Sequence, residues 1–291
     1  MSASALASKR TRKIVQLLTA ALYNANIGGF ASGTLYRGAG KNLCVPGLNC
    51  YSCPGAIAAC PLGSLQASLG SLPRALPLYV LGFLLLAGGL IGRGVCAFLC
   101  PFGLIQELLY KIPTRKHKKN RFTRALSYLK YIILIVFVFA LPLYTLSRNG
   151  VVSPAFCKWI CPAGTLEGAL PLMLVDERLF DMTGVLFIWK ATVLAAVVVS
   201  AVFLYRSFCR FLCPLGAIYS FFNRVAVFGI RVDAQKCIHC DRCVRSCGMD
   251  TKIVNDAECI RCGECRAVCP TGALDARRPE WKGVKKCFKG Q

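Results

Sequence analysis

The chain has 291 residues, of which 55% are hydrophobic and only 17% charged, more apolar than a soluble domain of its length. It reads as a membrane protein with a small soluble appendage. A formal net charge of +23 would suit nucleic acid, but the basic residues stand beside apolar spans and around cysteines rather than among exposed aromatics, so nucleic acid is not an expected partner.

Residues 1–13 form a basic tail with Lys9, Arg10, Arg12 and Lys13, followed by an apolar stretch from Ile14 to about Tyr36 that Asn24, Asn26 and several glycines interrupt. A charged start and short apolar core also suit a signal peptide, but no clear small-residue cleavage site precedes a soluble mature domain, and an uncleaved first span is expected. Three further spans are expected over about Leu76 to Ile91, Ala125 to Leu146 and Val185 to Tyr205, each approaching the ~20 residues that cross a hydrocarbon core. The loop from Arg93 to Arg124 carries eight Lys or Arg, whereas the loops at 37 to 74 and 148 to 184 carry three each, the latter with Glu167, Asp176, Glu177 and Asp181. Basic loops stay inside. The middle loop and both termini are therefore expected on the cytoplasmic face of a bacterial-type cytoplasmic membrane.

Within this region the chain writes Cys-Pro-x-Gly four times, at Cys60, Cys100, Cys161 and Cys213, each followed by a mostly apolar, helix-like run. Six residues after each cysteine come Gln66, Gln106, Glu167 and Tyr219. Three copies carry another cysteine four residues earlier, giving Cys96, Cys157 and Cys209; the first has Ala56 there and Cys53 further back. Proline suits the first turn of a helix, which sets the preceding cysteine at the helix mouth, where free N–H groups and the helix dipole favour an anionic group and lower a thiol pKa. Topology sorts the copies into two fours. Cys96, Cys100, Cys209 and Cys213 are expected at the inner membrane edge, and Cys53, Cys60, Cys157 and Cys161 at the outer. Each set has the number of ligands that one [4Fe–4S] cluster requires. A lone cysteine in an apolar helix is usually a small buried hydrophobe, and the outer set can instead form disulfides in an oxidising compartment. Cys44 and Cys50 have no assigned place, and Cys287 near the tail reads as an unligated thiol.

Eight cysteines close the chain in two runs of C-x2-C-x2-C-x3-C, between Cys237 and Cys269. Structural zinc also uses paired C-x2-C spacings, but it does not need two triplets, each followed by a fourth cysteine. The runs resemble a bacterial two-cluster ferredoxin. By that resemblance Cys237, Cys240, Cys243 and Cys269 hold one [4Fe–4S] cluster, and Cys259, Cys262, Cys265 and Cys247 the other. Cys269 is followed by Pro270 as that pattern wants, whereas Cys247 is followed by Gly248. Cys213 lies only 24 residues before Cys237, which is expected to bring the inner membrane cluster near the first cube. All-cysteinyl clusters each add about two negative charges, offsetting part of the basic excess.

Cys-x3-Cys-Pro at the cytoplasmic ends of spans, followed by a two-cluster ferredoxin, is similar to the membrane polyferredoxins of the NapH, NosR and FixG kind, over about residues 14 to 275. The resemblance implies electron passage between a quinol pool or cytoplasmic donors and partner redox proteins. It implies membrane lipid and other redox subunits or carriers as partners, with quinone a further candidate. No flavin-bearing extracytoplasmic domain of the NosR kind is expected.

The only histidines are His117 and His239, so no span offers the axial imidazoles of a bis-histidine haem. Asp181-Met-Thr-Gly-Val-Leu lacks the threonine expected at the end of a flavin-attachment sequence, and flavin is not expected. Lys190 and Glu107 are ionisable groups beside apolar segments, where such groups mark proton or quinone sites, although Lys190 can snorkel and Glu107 fits an interfacial half-helix.

The expected fold is an all-α, polytopic membrane domain of about four spans with half-helices, residues 14–225, then a small α+β ferredoxin domain, residues 226–276, and a basic tail, residues 277–291. The expected function is electron relay through [4Fe–4S] clusters, as a component of an oxidoreductase complex. A quinone-reactive oxidoreductase and an outward-facing thiol–disulfide relay are the alternatives.

Overall fold

The computed structural model describes residues 3–71, 77–116, 120–176, 178 and 184–276. His117, Cys287 and the start of the Asp181 sequence lie outside them.

The first helix, α1 (Ala3–Tyr23), begins in the basic tail and stops at Asn24, whose side chain and backbone N–H both donate to the Ala20 carbonyl. Asn26 then donates its N–H to Gly55, and the chain re-forms only a short helix, α2 (Ile27–Ser32), closed by Gly33 at φ 65°. Asparagine side chains that compete for the backbone favour turns over helix. The expected first span from Ile14 to about Tyr36 is thus broken in the middle. Residues 34–60 follow without a long helix; a bridge between Cys44 and Ala59 ties their ends together.

The Cys-Pro repeats shape the helices that follow. Cys60, Cys100 and Cys213 are N-caps, with proline as the first helical residue of α3 (Pro61–Ser68), α6 (Pro101–Leu109) and α12 (Pro214–Phe222). The expected half-helices are these. The Cys-x3-Cys spacing is bridged each time by one helical turn: α5 (Gly94–Phe98), α8 (Ala155–Trp159) and α11 (Ser207–Phe211).

Between these units run α4 (Leu78–Ile91), α7 (Phe122–Asn149), α9 (Gly164–Val175) and α10 (Val185–Phe203). Among the described residues, α7 with 28 residues and α10 with 19 are long and apolar enough to cross a membrane, while α4 with 14 is shorter. The π-helical stretches Leu134–Ala140 in α7 and Gly164–Ala169 in α9 each lie just ahead of a proline, Pro142 and Pro171, whose missing N–H and bulky ring disturb the i→i−4 ladder. Phe137 within the first stretch has its carbonyl met by Gln66 Nε2 at 2.8 Å.

The C-terminal lobe is small. β1 (Arg231–Val232) pairs antiparallel with β2 (Leu274–Asp275), Arg231 opposite Asp275, and two single-turn helices, α13 (Arg242–Arg245) and α14 (Glu264–Ala267), stand over them. Its own core is Ile230, Val232, Val254 and Leu274.

Buried polar bonds fix this lobe to the helices. Arg93 and Lys130, both fully buried, grip the two oxygens of Glu258, Arg93 at 2.7 Å. Arg210 and Arg124 reach Asp250 at 2.9 and 3.3 Å, and Arg12 of α1 reaches Glu264 at 3.1 Å. Asn223 donates to the carbonyls of Asp256 and Cys259 at 2.8 and 2.7 Å. Breaking one partner out of a buried pair costs about 3–5 kcal/mol, because the other charge is stranded. The lobe is therefore held in place rather than tethered loosely.

Candidate iron–sulfur sites

In the C-terminal lobe the two runs wrap two separate cavities. One is lined by Cys237, Cys240, Cys243 and Cys269. The other is lined by Cys247, Cys259, Cys262 and Cys265, with Cys243 also touching it. Each fourth cysteine has crossed to the other run's triplet, the arrangement a two-cluster ferredoxin uses. The backbone repeats with the cysteines. His239 and Arg261, Asp241 and Gly263, and Asp250 and Gly272 occupy matching places in the two runs, and all have φ between 53° and 78°. Left-handed residues at these places curl the chain around each cavity, a strained choice for Arg, His and Asp that enclosure of a ligand accounts for. Arg261 N–H and Thr251 Oγ1 meet Cys259 and Cys247 sulfurs at 3.4 and 3.3 Å. Burial would raise the Cys269 thiol, but Thr271 and nearby N–H groups outweigh it and hold the thiol below its ordinary value, favouring thiolate.

Gly248, where the other run has Pro270, also has a cause. A Cβ at Gly248 would stand 2.8 Å from the Tyr205 ring, so this half of the lobe has given up its proline to seat a tyrosine of the membrane domain.

The four inner cysteines, Cys96, Cys100, Cys209 and Cys213, are all buried in one core and lie within electrostatic reach of one another. Two arginines frame them in a swapped pair. Arg93, three residues before Cys96, donates Nη2 to the Cys209 carbonyl at 3.1 Å; Arg206, three residues before Cys209, donates Nη1 to the Cys96 carbonyl. Gly103 and Gly216 of the two Cys-Pro-x-Gly units leave room for this crossing, since a Cβ on Gly103 would stand 3.0 Å from the Cys96 carbonyl and 3.1 Å from Arg206 Nη1, and one on Gly216 would stand 3.2 Å from the Cys209 carbonyl. Gln106 adds a third cross-link, donating Nε2 to the Cys209 sulfur at 3.0 Å while its Oε1 accepts from Phe208 N–H at 3.0 Å. The sequence signal for the arginines is R-x2-C-x3-C-P-x-G, present twice and absent from the Cys157 copy, where Pro154 stands.

On the other side of the helices Cys60, Cys157 and Cys161 line a cavity of about 450 Å³ together with Cys50. Cys53, the fourth residue expected there, does not line it; its sulfur is turned away, 3.5 Å from Asn24 Oδ1. Cys50 N–H is held by Glu167 Oε2 at 2.9 Å, from far along the chain, and Cys53 begins the next turn by donating its N–H to the Cys50 carbonyl. Lys190, rather than snorkelling away, sets Nζ 3.6 Å from the place of a Cβ on Gly164, at the edge of the same cavity.

Glu107 sits between the inner quartet and the lobe. Arg12, Lys13 and Arg206 hold it at 2.6, 2.7 and 2.6 Å, and Tyr205 O–H donates to it at 2.8 Å. Burial would raise its pKa, but these cations hold the carboxyl well below its ordinary range. It is an ionic anchor for α1.

Tyr205 also lines the cavity of Cys247, Cys259, Cys262 and Cys265. Two residues of the second quartet, Cys247 and Cys262, abut the core of the inner quartet, while Cys265, like Cys237, Cys243 and Cys269, packs on the lobe's own core. Chain proximity of Cys213 to Cys237 points the other way, and the docking of Glu258 and Asp250 decides it.

Among the described residues every cysteine is free of a disulfide, and no three Cys, His, Asp or Glu side chains converge on a single ion. The sulfurs of the ferredoxin lobe instead line voids, in sets of four, which suits [4Fe–4S] cubes.

A 4Fe-4S binding domain family matches residues 74–120, 130–170 and 185–232, and a second 4Fe-4S binding domain family matches residues 252–275. The chain is 30% identical to the uncharacterized protein MJ0750 of Methanocaldococcus jannaschii over 72% of its own length and 80% of that protein. It is 25% identical to the putative electron transport protein YccM of Escherichia coli, over 63% of this chain and 50% of YccM, so it spans about half the length of that relative. It is 23% identical to the ferredoxin-type protein NapH of Escherichia coli, over 72% and 71%. No solved structure matches. With Cys-x3-Cys-Pro membrane units joined to a docked two-cluster ferredoxin lobe, the chain belongs to the NapH/NosR-type membrane polyferredoxins, [4Fe–4S] electron-transfer proteins.

Proposed function

We propose that the chain is the electron-transfer subunit of a membrane redox complex, passing single electrons between a soluble partner at the ferredoxin lobe and the membrane domain. The order is the Cys237, Cys240, Cys243, Cys269 cluster, then the Cys247, Cys259, Cys262, Cys265 cluster, then a cluster on Cys96, Cys100, Cys209 and Cys213. The clusters supply a reversible one-electron couple. The protein's residues supply placement: Tyr205 and Arg206, consecutive in the chain, touch the second ferredoxin site and the inner quartet respectively. That contact is the observation which carries the reading. It is supported by the buried ion pairs that leave the lobe no freedom to leave as a soluble carrier.

In the membrane, α7 and α10 span, while α1 and α4, whose apolar lengths are shorter, present apolar faces to lipid: Leu17, Leu18 and Leu22 on one, Leu85 and Leu86 on the other are all exposed. The basic residues at the start of α1 and in the loop before α7 support a cytoplasmic side for both termini.

The test is Cys100→Ser in the anaerobically prepared full chain. Electrons delivered to the lobe should still reduce both ferredoxin clusters but no longer reach the membrane clusters. Unchanged onward transfer in a variant lacking the inner cluster signal would overturn the proposed order.

A further inference from the structure

The cavity lined by Cys50, Cys60, Cys157 and Cys161 lies partly outside the matched 4Fe-4S families, since Cys50 and Cys60 precede residue 74. We propose that it is a further [4Fe–4S] site, with those four cysteines as its ligands and with Cys53 and Cys44 outside it.

Four features carry the inference. First, the sulfurs face a common space. The place of a Cβ on Gly63 lies 3.9 Å from Cys157 Sγ, and that on Gly164 lies 3.7 Å from Cys50 Sγ, so each Cys-Pro-x-Gly turn stands beside a cysteine of another segment. Second, backbone N–H groups point at the sulfurs: those of Asn49, Leu62 and Gly63 at Cys60, that of Gly164 at Cys161 and that of Ser52 at Cys50. Such donors stabilise thiolates that carry a cluster. Third, Lys190, a cation on a membrane-spanning helix, stands at the cavity edge. A charge there is costly without a partner, and four thiolates around an iron–sulfur cube, which release four protons on binding, supply one.

Fourth, the site is wired to its neighbour. Leu48 N–H points at the Cys100 sulfur of the inner quartet, and the next residue, Asn49, points its N–H at Cys60. Consecutive Cα atoms are about 3.8 Å apart, so a single peptide step separates a hydrogen bond to one site from a hydrogen bond to the other. Gly47 makes the approach feasible: a Cβ there would lie 2.5 Å from the Leu99 carbonyl and 2.9 Å from the Cys100 Cα. The site's role as the far end of the relay rests on the function proposed above; its ligand set does not.

Cys53 is the informative comparison, because it stands three residues from Cys50 and is the more buried of the two, yet bonds to Asn24. Iron and acid-labile sulfide are measured per chain on the anaerobically purified full protein, beside its low-temperature paramagnetic spectra. Wild type should hold about sixteen of each. Cys50→Ser and Cys161→Ser should each fall to about twelve with the ferredoxin signals intact, which excludes simple misfolding, while Cys53→Ser stays at about sixteen. Loss of four irons from Cys53→Ser but not from Cys50→Ser would overturn the ligand set. Wild type with about twelve irons, and either zinc or disulfide at these cysteines, would overturn the site and leave the three-cluster relay standing. About eight irons would contradict the relay's inner step as well.

Discussion

Arg206→Gln isolates the charge that the swapped arginines place beside the inner quartet. Arg206 is fully buried, donating Nη1 to the Cys96 carbonyl and Nε and Nη2 to Glu107 at 3.0 and 2.6 Å. Glutamine removes the positive charge but keeps an amide near the same carbonyl. Glu107 remains neutralised by Arg12 and Lys13. A unit charge roughly 8 Å from a cluster centre, at an effective dielectric of about 20, is worth about 2 kcal/mol. For a one-electron couple this is on the order of 90 mV. The sign follows from charge: the reduced cluster is more negative by one, so losing the guanidinium destabilises it and lowers the midpoint. Arg206→Lys, which keeps the charge, should shift it by less than half as much. The assay is an anaerobic redox titration of the full chain followed by its paramagnetic signals. An inner-cluster midpoint that does not move in Arg206→Gln, at full iron content, would refute the reasoning.

Glu107→Gln should lower the melting temperature, since it strands Arg206 without a carboxylate and leaves Arg12 only Glu264, at a cost of about 3–5 kcal/mol. Because the folded pKa of Glu107 lies below its ordinary 4.5, its stabilising contribution is complete above that value and is lost only as pH falls toward the depressed one. The gap between wild type and Glu107→Gln in a pH series of melts should therefore stay level from about pH 8 to 5 and close only in strong acid. Gly248→Ala should disturb the Cys247, Cys259, Cys262, Cys265 cluster signal by pressing on Tyr205, and the double variant Tyr205→Ala, Gly248→Ala should restore it; a silent Gly248→Ala would show the contact to be loose. Stripping iron should open residues 231–276 to protease while the helical far-ultraviolet signal of the membrane domain persists, because that lobe's own core is only four buried side chains. Protection unchanged after iron removal would contradict this.

Spacing alone made much of the site readable. The two ferredoxin quartets sit around the cavities that C-x2-C-x2-C-x3-C implies, because those short loops leave the chain few ways to turn. Proline after Cys60, Cys100 and Cys213 started helices for a reason written in two residues. What depended on distant contacts was harder to read. Spacing points to Cys53 and leaves Cys50 without a place, whereas in the fold the Cys50 N–H is held by Glu167, far along the chain, and it is Cys50 that lines the cavity. The first expected span looked continuous in composition, yet Asn24 and Asn26 each bond to backbone carbonyls and bend the chain. The buried arginines were concealed by the general basic excess, although their fixed place before Cys96 and Cys209 was visible in the repeat. Which ferredoxin cube faces the membrane was set by Glu258 and Asp250, acidic residues whose partners no local pattern announces.

The relay carried through the outer site, from one face of the membrane to the other, is tested most directly in sealed proteoliposomes carrying the fully loaded chain, lobe outward, with a membrane-impermeant reductant outside and a membrane-impermeant oxidant trapped inside. The account predicts that the trapped oxidant is reduced, and that Cys100→Ser and Cys259→Ser each stop it. Trapped oxidant that stays oxidised with the loaded wild-type chain, or transfer that survives either substitution, would contradict it.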